Sequence, residues 1–155
     1  MNGDGIVSCP DLAVIAEAYG SHTGASDFNA WSDLNNDGVI NLLDFDIVSK
    51  KVPASCPNQN LVRNVTFEST LDDIQAAVDA ELITNRGVAN ALAEQFKEAK
   101  FATSGRHESD DVREILIAFV HLVNAQTGKH ILGIAAPVLR QDGTALLSQF
   151  PRTKN

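Results

Sequence analysis

Asp33-Leu34-Asn35-Asn36-Asp37-Gly38-Val39-Ile40-Asn41-Leu42-Leu43-Asp44 places oxygen-bearing side chains at positions 1, 3, 5, 9 and 12 of a twelve-residue stretch. The donors are Asp33, Asn35, Asp37, Asn41 and Asp44, and Val39 at position 7 offers its backbone carbonyl. Ca2+ is a hard cation that takes about six to eight oxygens, and this spacing turns alternate residues toward one point. Gly38 at position 6 permits the sharp turn such a loop needs, and Val39 and Ile40 supply an apolar, strand-like step behind it. The plain alternative is an Asn/Asp/Gly-rich turn that binds nothing. Five correctly typed positions together with the glycine outweigh it.

The start of the chain repeats the pattern. Asn2-Gly3-Asp4-Gly5-Ile6-Val7-Ser8-Cys9-Pro10-Asp11 aligns position by position with Asn35 to Asp44, and Asp4 and Asp37 stand 33 residues apart. The matching donors are Asn2, Asp4, the Ile6 carbonyl, Ser8 and Asp11. Each loop is followed by apolar residues at helical spacing: Leu12, Val14, Ile15, Ala18 and Tyr19, then Phe45, Ile47 and Val48. Each unit is thus half of an EF-hand, a loop and its following helix, and the half is duplicated. The spacing predicts helices over about Asp11–Tyr19, ended by Gly20, and about Asp44–Val52, ended by Pro53.

The tandem loops resemble the type I dockerin domain over about residues 1–57. The resemblance implies two loop–helix segments packed about a pseudo-twofold axis, each holding one Ca2+, and docking onto a cohesin-type partner. It further implies a secreted or cell-surface parent protein, of the kind that assembles polysaccharide-degrading complexes such as cellulosomes. Loop 1 departs from the family pattern: Met1 already stands at position 2, so the position-1 Asp is missing. One strong Ca2+ site is therefore expected at loop 2 and a weakened one at loop 1, unless residues precede Met1 in a longer protein, which is the favoured explanation. In the family, recognition uses loop positions 10 and 11 and the helix beyond. Those are Cys9-Pro10 in repeat 1, and Leu42 and Leu43 with Ser49 and Lys50 in repeat 2. The two faces differ, so repeat 2 is the expected partner face. The pseudo-twofold arrangement would bring Cys9 and Cys56 together as a disulfide, which implies an oxidising compartment. Two unrelated free thiols are the alternative, whereas two cysteines alone fall short of the four ligands of a structural zinc site.

The formal net charge is −8, unevenly spread: residues 1–57 hold eight acids and two lysines, residues 58–155 twelve acids and ten bases. An acidic cluster favours cations and repels nucleic-acid phosphates. No apolar run reaches the ~20 residues of a membrane span. The polar connector Ser21–Ser32 carries Phe28 and Trp31, which are expected to cover the seam between the two repeats.

Residues 58–66 read as a linker and 67–151 as a small antiparallel helical bundle, making the whole chain all-α. Helices are predicted over Leu71–Ile83 (capped by Ser69 or Thr70), from Thr84 or Asn85 through Lys100, and over Asp110–Gln126 (capped by Ser109). Ser104-Gly105 and Gly128 end the second and third of these. A fourth is predicted over about Ile131–Phe150, interrupted at Pro137 and at Asp142-Gly143. Phe119-Val120-His121-Leu122-Val123-Asn124-Ala125-Gln126-Thr127-Gly128-Lys129-His130-Ile131 resembles, more loosely, the signature of the FIMAH domain, a helical module of secreted bacterial proteins, over about residues 66–150. That resemblance implies an extracellular accessory role.

Catalytic constellations are missing from the sequence. There is no Gly-x-Ser-x-Gly elbow, no phosphate-binding Gly-x-x-x-x-Gly-Lys-Ser/Thr loop and no His-Glu-x-x-His. His107-Glu108 falls in an expected turn, His121 reads as packed or solvated, and Asp72-Asp73 and Asp110-Asp111 sit where helix N-termini favour negative charge. The reading is a non-catalytic, calcium-dependent docking module belonging to a larger secreted protein. Two alternatives stand beside it: a calcium-stapled architectural region packing within its own chain, and a carbohydrate- or wall-associated accessory with Trp31 and Phe28 as its platform.

Overall fold

Two helices begin in the same way. Ser8 precedes α1 (Cys9–Ala18) and Asn41 precedes α2 (Leu42–Ser49), both in extended backbone. The aspartate three residues into each start, Asp11 or Asp44, accepts the cap residue's own N–H, at 2.9 and 3.0 Å. Such reciprocal caps satisfy amides that a helix start would otherwise leave bare. In α1, Pro10 stands in the first turn, where the missing N–H costs nothing.

The computed structural model describes residues 1–57, 59–104 and 109–151, and the chain divides into two units, Met1–Asn64 and Val65–Asn155. Among the described residues the secondary structure is all-helical, six helices with isolated β-bridges only. In the first unit α1 packs on α2. Leu12, Ile15, Ala16 and Tyr19 are buried from the α1 side, and Leu42, Phe45 and Val48 from α2, with Ile40 completing the core. Tyr19 meets Phe45 edge-on at 6.1 Å between ring centroids. Each large side chain buried this way contributes about 1.5–3 kcal/mol.

Cys9 and Cys56 form a disulfide across 47 positions of sequence. Closing a loop of that length restricts the unfolded chain by an amount worth about 4 kcal/mol in the chain-entropy model. Beyond it the chain returns to α1: the Val62 N–H donates to the Ala16 carbonyl at 2.9 Å, and the Arg63 guanidinium lies 4.4 Å from the Tyr19 ring centroid. Val62 and Arg63, inside the stretch read as linker, therefore belong to the first unit.

Trp31 does not cover a seam. It is 77% exposed, because its N–H donates to Asn29 Oδ1 and the Ser32 N–H to the Asn29 carbonyl, a tight turn that leaves residue 31 on its outside. Phe28 is half-buried.

In the second unit α3 (Phe67–Asp79), α4 (Arg86–Ser104), α5 (Ser109–Gln126) and α6 (Ala135–Gln149) pack in sequence, and α6 returns to α3. Phe96 meets Phe119 at 4.3 Å and Phe67 at 5.9 Å, an aromatic spine through three helices. Helix α3 starts earlier than the sequence suggested. Thr66 is its cap, while Ser69 is the partner that closes the box: Thr66 Oγ1 accepts the Ser69 N–H and Ser69 Oγ accepts the Thr66 N–H. Its buried face is Thr70, Asp73, Ile74 and Ala77, with Leu71 and Val78 half-exposed.

The last helix is not interrupted. Pro137 sits in the first turn of α6, where it removes no intrahelical bond, and the helix runs straight through Asp142-Gly143. Gly143 marks a helix crossing: a Cβ there would stand 2.6 Å from Val120 Cγ2 and 2.9 Å from Phe119 Cδ1. Residues 131–134 are not helical either. Gly128 adopts φ +75°, and Ile131 pairs with Ile83 while the Thr84 N–H donates to the His130 carbonyl. The Gln126–Ile131 part of the FIMAH-like run is thus a reversing turn.

Candidate metal centre

The two loops repeat each other bond by bond. Asn35 Oδ1 accepts the Asp37 N–H at 3.1 Å, and Asn2 Oδ1 accepts the Asp4 N–H at 3.1 Å. Asp37 Oδ1 accepts the Val39 N–H at 2.9 Å, and Asp4 Oδ1 the Ile6 N–H at 2.7 Å. Asn35 Nδ2 and Asn2 Nδ2 donate to Asp37 Oδ2 and Asp4 Oδ2, each at 2.8 Å. At the far end, Asp44 Oδ1 accepts the Leu34 and Asn35 N–H groups, and Asp11 Oδ1 accepts that of Asn2.

Backbone conformation repeats as well. Positions 4 and 6 are left-handed in both loops, with φ +59° at Asn36 and +84° at Gly38, and +81° at Gly3 and +80° at Gly5. Glycine and asparagine are the residues that tolerate this region. The alternation curls each loop so that its short polar side chains turn in on their own amides. Loop 2 has one further pair of bonds: Asp33 accepts the N–H groups of Asp37 and Gly38 at 3.1 and 2.9 Å, tying position 1 to the turn.

The electrostatics fit a cation. Asp44 is fully buried by its solvent exposure. Burial pushes its carboxyl above the usual carboxylate range; the Asn41, Leu34 and Asn35 N–H groups oppose this, and the negative charge of Asp37 adds to it. A buried carboxylate facing a second carboxylate is relieved by a divalent ion. At Asp11 burial acts in the same sense, but the Asn2 and Ser8 N–H groups outweigh it and hold the carboxyl below its ordinary value.

Among the described residues, no three His, Cys, Asp or Glu side chains gather closely enough to hold a metal by themselves. The donor set suits this loop type nonetheless, since it mixes three carboxylates with the amides of Asn35 and Asn41 and the Val39 carbonyl. If Ca2+ is bound, Asp33, Asn35, Asp37, Val39, Asn41 and Asp44 would hold it in loop 2, and Asn2, Asp4, Ile6, Ser8 and Asp11 in loop 1. The ion would supply the countercharge for those carboxylates.

The expected partner residues do not share one environment. Leu42 is fully buried, pointing into the α1–α2 core with Phe45 and Val48, and is not available to a partner. Its position heads α2, and the three-residue spacing Leu42, Phe45, Val48 forces it inward. Leu43 and Ser49 are half-exposed and Lys50 is exposed, held to Asp46 four residues earlier. His121 is exposed on α5, and His107-Glu108 lie outside the described residues.

Duplicated loop–helix segments with this internal bonding define a calcium-loop domain of the F-hand kind. Residues 1–53 match the family model of the dockerin type I domain, so the first unit is a type I dockerin domain. As a class, dockerins bind Ca2+, dock onto cohesins without catalysing a reaction, and occur in secreted or cell-surface proteins. No curated protein and no solved structure matches the chain. Among the described residues no helix is long and apolar enough to cross a membrane.

Proposed function

We propose that the first unit is a calcium-dependent docking module of a larger secreted or cell-surface protein, and that it binds a cohesin-type partner through the α2 side. The observation that carries this reading is the bond-for-bond repetition of the two loops, each ending in a buried aspartate that also caps the next helix. Gathering the loop donors around Ca2+ thereby stabilises α1 and α2, so metal-binding energy becomes folding energy.

The two faces are unequal. In repeat 1, position 10 is Cys9, held in the disulfide, and the returning segment with Val62 and Arg63 lies along α1. In repeat 2, Leu43, Ser49 and Lys50 remain accessible. A single docking face at α2 follows. The disulfide supports an oxidising compartment, as a secreted parent protein would require. The helical unit serves as an accessory of that protein, in line with its resemblance to the FIMAH domain.

Calorimetric titration of the full chain with a panel of recombinant type I cohesins, in Ca2+ and in chelator, tests this. Binding in Ca2+ that disappears in chelator supports the reading. Ca2+ uptake with no cohesin response leaves a calcium-stapled architectural unit.

A further inference from the structure

The segment directly after α1, Gly20 to Thr23, lies antiparallel to the back of loop 2. The Thr23 N–H donates to the Gly38 carbonyl at 2.8 Å, the Ile40 N–H to the Ser21 carbonyl at 2.9 Å, and the Gly20 N–H to the Ile40 carbonyl at 2.7 Å. Thr23 Oγ1 adds a second donor to the Gly38 carbonyl at 3.2 Å, and His22 pairs with Val39. In an extended strand, successive residues turn their N–H and C=O groups to opposite sides. Ile40 spends both of its groups, and Gly38 its carbonyl, on the Gly20–Thr23 segment, while the Gly38 N–H goes to Asp33 Oδ2. Val39, between them, faces the other way, and its N–H does reach Asp37 Oδ1 inside the loop. Its carbonyl is thereby aimed at the loop interior.

Among the described residues loop 1 has no such support: no strand-like partner bonds Gly5 or Val7, which hold the matching positions. Ile40 is fully buried, whereas Val7 is half-buried.

We propose that Gly20–Thr23 is the positioning element of the loop 2 calcium site, a backbone splint that delivers the Val39 carbonyl and keeps the loop formed before the ion arrives. The inference rests on the calcium reading given above and adds the cause of an inequality between the two sites. Pre-organisation raises affinity by removing the ordering cost from the binding step. Loop 2 is therefore the tighter site, and the splint is part of the reason.

Two measurements on the full chain test it. Amide hydrogen exchange in chelator reads the splint directly: the Ile40, Thr23 and Gly20 N–H groups should be protected without Ca2+, while the Val7 amide, which matches Ile40 in loop 1, exchanges freely. Thr23→Pro removes one splint donor and should weaken Ca2+ binding at loop 2 by up to about tenfold, the scale of one lost hydrogen bond, with loop 1 unchanged. Splint amides that become protected only when Ca2+ is added would overturn the proposal, since the ion would then be forming the splint. Equal loop 2 affinity in a folded Thr23→Pro chain would overturn it too. Wild-type protein that binds no Ca2+ while those amides stay protected would instead remove the calcium reading on which the proposal stands.

Discussion

Asp44 Oδ1 lies 2.7 Å from the amide nitrogen of Leu34, so the twelfth residue of loop 2 closes on the second. The same carboxylate accepts the Asn35 N–H from across the loop and the Asn41 N–H at the helix start. One side chain therefore seals the loop and caps α2. Asp44→Ala leaves three amides without their acceptor, and the expected loss of stability in chelator is about 1–3 kcal/mol. In Ca2+ the loss should be larger, because the ion's contribution at this loop goes with it. Thermal unfolding with and without Ca2+ reads both parts; an unchanged calcium-dependent shift would mean that Asp44 does not serve the ion.

Gly143 and Phe119 give a prediction for the second unit. A methyl group at residue 143 would meet Phe119 and Val120 well inside contact distance. Overpacking of this kind costs about 1–3 kcal/mol, offset by up to ~1 kcal/mol of improved helix propensity. Gly143→Ala should accordingly destabilise the bundle by about 1–2 kcal/mol in urea unfolding. Were the glycine a helix break, the alanine would stabilise it.

That position also shows where sequence reading stopped. Loop 2 was legible because each position has its own chemical requirement, from Asp33 through Gly38 to Asp44. The pairing of Cys9 with Cys56 was one of two readings that the sequence left open, the other being two free thiols, and the structure has the bond. Asp142-Gly143 was misread because a glycine in a helical pattern signals a break or a close crossing equally well, and only the partner helix decides. Leu42 is buried although the family resemblance assigned it to the partner face, and the spacing Leu42, Phe45, Val48 was the signal in the sequence that it turns inward. The splint was invisible, since Gly20-Ser21-His22-Thr23 acts through backbone bonds and reads as polar connector.

The pair Glu68 and Lys100 carries a pH effect. The hydrogen bond from Lys100 holds the Glu68 carboxyl below its ordinary value. A carboxyl lowered in the folded state adds stability above its unfolded pKa, about 4.3, and loses it as pH falls through the folded value. Because both groups are exposed, the effect is small and screened by salt. Titration followed by NMR should give Glu68 a lower pKa in the native chain than in Lys100→Gln, with the difference shrinking in 1 M salt. Identical titrations would show that the pair is not formed in solution.

Leu42 and Leu43 are neighbours with opposite environments, and they separate folding from docking. Leu42 is fully buried against the α1–α2 core, so Leu42→Ala should cost about 2–5 kcal/mol of stability in the first unit. Any loss of partner binding would then track the unfolded fraction and be recovered at low temperature or saturating Ca2+. Leu43 is half-exposed beside the accessible part of α2, and Leu43→Asp should leave the melting temperature within a few degrees of wild type while sharply weakening cohesin binding. Lys50→Glu should act in the same direction and more weakly, because Lys50 already holds Asp46 and lies at the exposed end of the helix. Calorimetry against one responsive cohesin, run beside thermal unfolding of each variant, distinguishes the two residues. If Leu43→Asp and Lys50→Glu bind as tightly as the native chain, the partner does not use the α2 side, and the exposed Trp31 becomes the next surface to substitute.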